Sequence, residues 1–134
     1  MIVRCTTNKG YELPDSYHGL YFTEHTIFHL ELGKEYEVYE MGLFNFGLIV
    51  LVVDSTGRPD WYPLDVFEIV HGAIPPEWVF ARRAGNQEGM SAVWGHSRLA
   101  NDQSLDEALT MHEEDAMEVF WREIIRSQDV RSKE

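Results

Sequence analysis

His25 and His29 stand four residues apart, a spacing that places both imidazoles on one side of either a helix or a strand. Two imidazoles begin a zinc site, and a third ligand must complete it. Glu24 and Glu31 are the acids nearest in sequence. One falls on the opposite strand face and the other faces solvent, so the set stays incomplete. Asp54-Ser55-Thr56-Gly57 sets a carboxylate beside hydroxyls, but acid catalysis through a shared proton needs a second carboxylate. Asp60, the nearest, lies across the same run of turn-favouring residues, and a tight turn is the simpler reading. Cys5 would attack as a nucleophile only beside a base in an electropositive setting. It ends a short apolar stretch instead, where a buried inert thiol is expected. Ser55 lacks a Gly-x-Ser-x-Gly elbow, and no glycine-rich phosphate loop with lysine is present. His18, His71 and His96 have no patterned neighbours, and His112 precedes the acids of a solvated helix start. The residues therefore predict no catalytic side chain, no metal ligand set and no cofactor; a small metal-dependent enzyme using His25 and His29 is the alternative.

Charge points to another class of function. The chain has 134 residues with 11 basic and 23 acidic side chains, a formal charge of −12. Phosphate affinity rests on clustered lysine and arginine, so nucleic acid is excluded as a partner, and an anionic membrane with it. A basic protein is favoured, because opposite net charge speeds encounter. Glu35 and Glu37 alternate with Tyr36 and Val38, which puts the two acids on the solvent face of a strand, about 7 Å apart. Glu113, Glu114 and Asp115 form a second acidic run at a helix start. Either group offers a cationic partner relief from mutual repulsion. Tryptophan is enriched at binding hot spots, and the chain has four. Trp94 is the candidate that either meets the partner or pins the helices to the strands, with pinning favoured.

These side chains need positioning elements, and the hydrophobic pattern supplies them. The length fits one domain, residues 1–134. Residues 1–83 read as strands: 2–5, 20–22, 27–30, 35–41, 46–53, 61–62, 68–70 and 78–80, with a 3₁₀ turn at 64–67. Residues 46–53 are apolar on both faces, as a central strand requires. Residues 84–103 read as an irregular connection. Beyond them, in 104–128, Ser104 and Glu107 have capping-box spacing, predicting helices over about 105–111 and about 114–127. Ala116, Met117, Phe120, Trp121, Ile124 and Ile125 make the apolar stripe of the second helix. Whether His112-Glu113 breaks the helical run stays open. The single cysteine allows no internal disulfide, and the first residues lack the apolar stretch of a signal peptide. A cytoplasmic location is expected. The longest apolar run, residues 48–53, falls far short of the ~20 residues a membrane-spanning helix needs.

The segments Leu30-Glu31-Leu32-Gly33-Lys34-Glu35-Tyr36-Glu37-Val38 and Gly57-Arg58-Pro59-Asp60-Trp61-Tyr62-Pro63-Leu64-Asp65-Val66-Phe67-Glu68-Ile69-Val70 carry a resemblance. Turn, strand, hairpin turn, strand, proline-containing 3₁₀ turn and final strand follow the order of an SH3-like barrel. The resemblance implies an α+β fold: a small antiparallel SH3-like barrel followed by two C-terminal helices. Peptide-binding SH3 domains carry Ala-Leu-Tyr-Asp-Tyr near their start, where this chain reads Gly19-Leu20-Tyr21-Phe22-Thr23. A peptide-binding adaptor that uses Tyr21, Trp61, Pro63 and Phe67 is the further alternative. The acidic small barrel with C-terminal helices is also similar to bacterial immunity proteins. That resemblance implies a protein that does no chemistry and neutralises a basic toxin domain by binding it, with Glu35, Glu37, Trp94, Glu113, Glu114 and Asp115 as candidate contacts.

Overall fold

The structure is a computed structural model that describes residues 1–14, 22–45, 47–83 and 89–126. It is an α+β fold with two antiparallel sheets and a C-terminal group of helices. Strands β1 (Ile2–Cys5), β2 (Glu35–Glu37) and β6 (Phe67–His71) form a three-stranded sheet in the order β2-β1-β6. Strands β3 (Glu40–Phe44), β4 (Gly47–Val53), β5 (Pro59–Pro63), β7 (Val79–Arg82) and β8 (Ala92–Gly95) form a five-stranded one, ordered β5-β4-β3-β8-β7. Helices α1 (Ser97–Ala100), α2 (Gln103–Thr110) and α3 (Glu114–Val119) follow, and α3 continues through a π-helical segment at Phe120–Ile125.

The β4 sequence is an unbroken apolar run because both of its faces are covered. Val50 and Val52 pack into a core with Val3, Cys5, Tyr36, Val38, Tyr62, Val66 and Phe67, under the three-stranded sheet. Leu51 points the other way, into a second core with Tyr39, Leu99, Leu109, Ala116, Phe120 and Ile124. Side chains alternate across a strand, so the small sheet and the helices lie on opposite faces of the large one.

The chain crosses from one sheet to the other at residues 38–39. Val38 donates its N–H to the Met1 carbonyl beside β1, and Tyr39 donates to Leu51 on β4, each at 2.9 Å. The single strand expected over 35–41 is therefore two strands on two sheets, with Val38 and Tyr39 in different cores. Residues 27–30 form no strand; Ile27 makes an isolated bridge to Lys9, and Phe28 bonds Asn8. Their alternation survives in burial, with Phe28 and Leu30 in the first core and His29 exposed. Residues 20–21 lie outside the described residues. A 3₁₀ turn at Leu64–Val66 joins β5 to β6, as the spacing predicts.

Residues 84–103 are not an irregular connection throughout. They hold β8, which is hydrogen-bonded between β3 and β7, and α1. Four residues are too few to show periodicity, and Val93 between Ala92 and Trp94 reads as a loop apolar residue until its two neighbouring strands are known.

The α2 cap also differs from the expectation. Asp102, not Ser104, caps the helix, its Oδ1 accepting from the Leu105 N–H at 3.1 Å. Glu107 takes a hydrogen bond from Gln103 Nε2 instead of reaching back to a capping serine. His112 breaks the helical run. It adopts a left-handed backbone with φ of 56°. Its N–H bonds Leu109 O at 2.9 Å while Glu113 N–H bonds Ala108 O at 3.0 Å, the paired closure that ends a helix in a Schellman motif.

Candidate functional site

The predicted partner-binding residues fall on all three layers. Glu35 is exposed on β2 and paired with Arg4 at 3.0 Å; Arg4 on β1 also holds Glu68 on β6 at 2.8 Å, so one guanidinium ties the three strands together. Glu37, two residues on, is half-buried opposite Ile2. Trp94 on β8 is half-buried, with its ring 4.9 Å from that of Phe80 on the edge strand β7, and pairs Met41 across β3. It therefore joins the sheet and its core, not the helices. Glu113, Glu114 and Asp115 do come together: Glu113 is the N-cap residue of α3 and the other two occupy its first turn, all exposed. Acids there also favour the helix by meeting its positive end. The structure thus groups the three helical acids and sets them on the far side of the large sheet from Glu35 and Glu37.

The exposed helical surface extends that acidic group. Glu107 and Met111 are one turn apart at the end of α2, both exposed, and Met111 keeps 69% of its surface in solvent. Glu114, Glu118 and Trp121 follow along α3 at helical spacing. Trp121 was expected on the packed stripe but is 42% exposed, while Ala116, Phe120 and Ile124 are buried. Trp121 lies off the row of Ala116, Phe120 and Ile124, with its ring edge-on to Phe120 at 5.7 Å.

The chemistry-bearing candidates are each engaged in structure. Asp54 accepts from Thr56 N–H, Thr56 Oγ1 and the Tyr62 hydroxyl, the last at 2.6 Å, and Gly57 turns the chain with φ of 83°. Burial alone would raise the Asp54 pKa, but these donors outweigh it and hold the carboxyl below its ordinary value. Tyr62 is pushed up, first by burial and then by Asp54. His25 is exposed, 3.4 Å from Glu24, and His29 is exposed on the loop whose carbonyl bonds Ser55. Among the described residues no three His, Cys, Asp or Glu side chains gather as a metal site. Cys5 is buried and donates to Thr7 O, and burial raises its thiol pKa, the opposite of nucleophilic activation. Of the peptide-groove candidates, Trp61 is half-buried with its indole N–H bonded to Thr110 Oγ1 on α2 at 3.1 Å, Pro63 is buried, and Phe67 packs edge-on to Tyr36. Tyr21 lies outside the described residues.

Sequence reasoning missed the most unusual polar group. Glu40, Arg83 and Asp106 are buried together between the large sheet and the helices, with 0%, 8% and 5% of their surfaces exposed. Arg83 donates to Asp106 Oδ2 at 2.8 Å and to the carbonyls of Leu99 and Ala100 at 3.1 and 2.9 Å. A signal for Glu40 was present: it shares the strand parity of Tyr36 and Val38, the buried side chains, instead of that of Glu35 and Glu37. Asp106 stands three residues before buried Leu109 on α2, on the inward face.

Among the described residues no helix is long and apolar enough to cross a membrane. No protein-family model, curated protein or solved structure matches this chain.

Proposed function

We propose that this chain is a protein-binding antagonist of the immunity-protein type, which blocks a basic toxin domain by direct contact. The observation that carries the reading is the outer helical surface. Exposed Met111 and Trp121 stand among Glu107, Glu113, Glu114, Asp115 and Glu118, on a chain of net charge −12. Arg122 offsets Glu118 and Glu123, and Arg98 offsets Asp102 and Glu123, but Glu107 and the Glu113–Asp115 acids have no ion pair among the described residues. Exposed apolar side chains on the same helices as unpaired acids suit a cationic protein: the charges steer encounter and the apolar side chains slow release. A reducing, cytoplasmic setting belongs to this reading, supported by the single, buried Cys5.

The same proposal takes the core of strands β1–β6 as an SH3-like barrel extended by β7, β8 and the helices. In its support, β1 pairs both β2 and β6, the β2–β3 run bends from one sheet into the other, and a 3₁₀ turn precedes the last of these strands. The adaptor alternative fits less well, since α2 already occupies the Trp61 indole.

The test is retention of proteins from a native lysate by immobilised chain at low and high salt. It is run beside a variant with Glu113→Gln, Glu114→Gln and Asp115→Asn. The expected result is one basic protein held by the wild type at low salt, released as salt rises and lost by the variant. Retention of no basic protein at either salt refutes the reading.

A further inference from the structure

The Glu40–Asp106–Arg83 group has an imbalance that only one of its protonation states removes. Glu40 has no exposed surface, and its carboxyl meets that of Asp106 directly. Were both acids ionised, two anions would share one cation in a space closed to water, an arrangement whose desolvation outruns its attraction. Both Glu40 oxygens and Asp106 Oδ1 would be buried with no donor among the described residues. Arg83 does not relieve them: its hydrogen bonds go to Asp106 Oδ2 and to the two carbonyls at the end of α1, and none reaches those oxygens. A protonated Glu40 donates to Asp106 Oδ1. One anion then faces one cation, and both carboxyls are bridged.

We propose that a single proton held between Glu40 and Asp106 fastens the helical layer to the five-stranded sheet, and that its loss to solvent as pH rises weakens that attachment. The proton belongs to Glu40 because Asp106 alone is in contact with Arg83. The elements around the pair offer little other charge. β4 presents Leu51 across from Glu40, β8 presents Gly95, and α1 presents the Leu99 and Ala100 carbonyls. Glu107, beside Asp106 on α2, adds a negative charge that favours keeping the proton. His96, next to Gly95, answers to Glu123 and Arg98 instead of the pair. Glu40 packs closely on Gly95, where an added Cβ would lie 2.6 Å from Glu40 Cγ.

Burial, the Asp106 charge and the hydrogen bond between the two acids together hold the Glu40 pKa well above its ordinary value, with Arg83 drawing it back. The folded pKa therefore exceeds the unfolded one. The contribution of Glu40 to stability is complete below the unfolded glutamate value of about 4.3 and is lost as pH rises through the folded value. Within that window the wild type loses up to about tenfold in folding constant per pH unit relative to Glu40→Gln, whose amide donates to Asp106 at every pH.

Denaturant unfolding of both proteins between about pH 5 and about pH 9 reads this difference directly. The infrared carbonyl band of a protonated carboxylic acid in the native wild type reads it independently of the variant. Diverging stability profiles are expected, with the band persisting at a pH where exposed glutamates are ionised. Parallel profiles from the two proteins overturn the proposal. If Glu40→Gln does not fold, absence of the band from the native wild type overturns it.

Discussion

Gly95 shows how one missing methyl group sets the distance between strands. It pairs Glu40 across β3 and β8, and an added Cβ would come within 3.0 Å of the Glu40 Cα as well as its side chain. Backbone cannot yield as a flexible side-chain tip does. Gly95→Ala should therefore destabilise the fold by about 1–3 kcal/mol, the usual cost of overpacking, read as a lower denaturant midpoint. The sequence reveals residues of this scale unevenly. The turn at Asp54–Gly57 was legible because its chemistry is local: the carboxylate, the hydroxyl and the glycine that make it are neighbours in the chain. Glu40 was not legible as part of a charged cluster, because Arg83, just past the end of β7, and Asp106 on α2 reach it only after folding. The acids behind the net charge thus include Glu40 and Asp106, which are buried.

At the scale of elements, helix ends were harder to place than helix bodies. Ser104 and Glu107 have capping-box spacing, yet Asp102 makes the cap. Asp102→Ala should cost about 1 kcal/mol, while Ser104→Ala should change stability by less than about 0.5 kcal/mol; thermal denaturation of the two separates the assignments. The break between α2 and α3 left no glycine to announce it. His112 fills the left-handed position instead, and its Nε2 donates to Pro59 O at 2.8 Å, a tertiary bond that offsets the backbone cost and ties the turn to the start of β5. The body of the second helix was legible because its apolar spacing repeats over successive turns. β8 was not, since a four-residue strand has no repeat to read.

For the molecule as a whole, β4 carries a core on each face, so neither layer is independent of the other. Phe120 is fully buried in the helical core, its ring edge-on to Tyr39 at 5.3 Å. Phe120→Ala should cost about 3–5 kcal/mol. The loss should reach both layers together, with far-ultraviolet dichroism and tryptophan fluorescence giving coincident transitions. Separate transitions would mean that the helices leave the sheets first. The α+β class was legible from the change of period along the chain, whereas the division into two sheets was not. That division depends on two backbone hydrogen bonds at residues 38–39 that point to different partners.

The place of β8 has a consequence for how the chain is made. The strand that the large sheet needs in its interior, between β3 and β7, leaves the ribosome after every other described strand. Until residues 92–95 emerge, β3 has an open edge and β7 has no sheet to join. Glu40 waits at that edge in water, an ordinary ionised acid. Completion of the sheet and capture of the proton then wait on β8, separated from the β3–β4 hairpin by the time taken to translate residues 54–95.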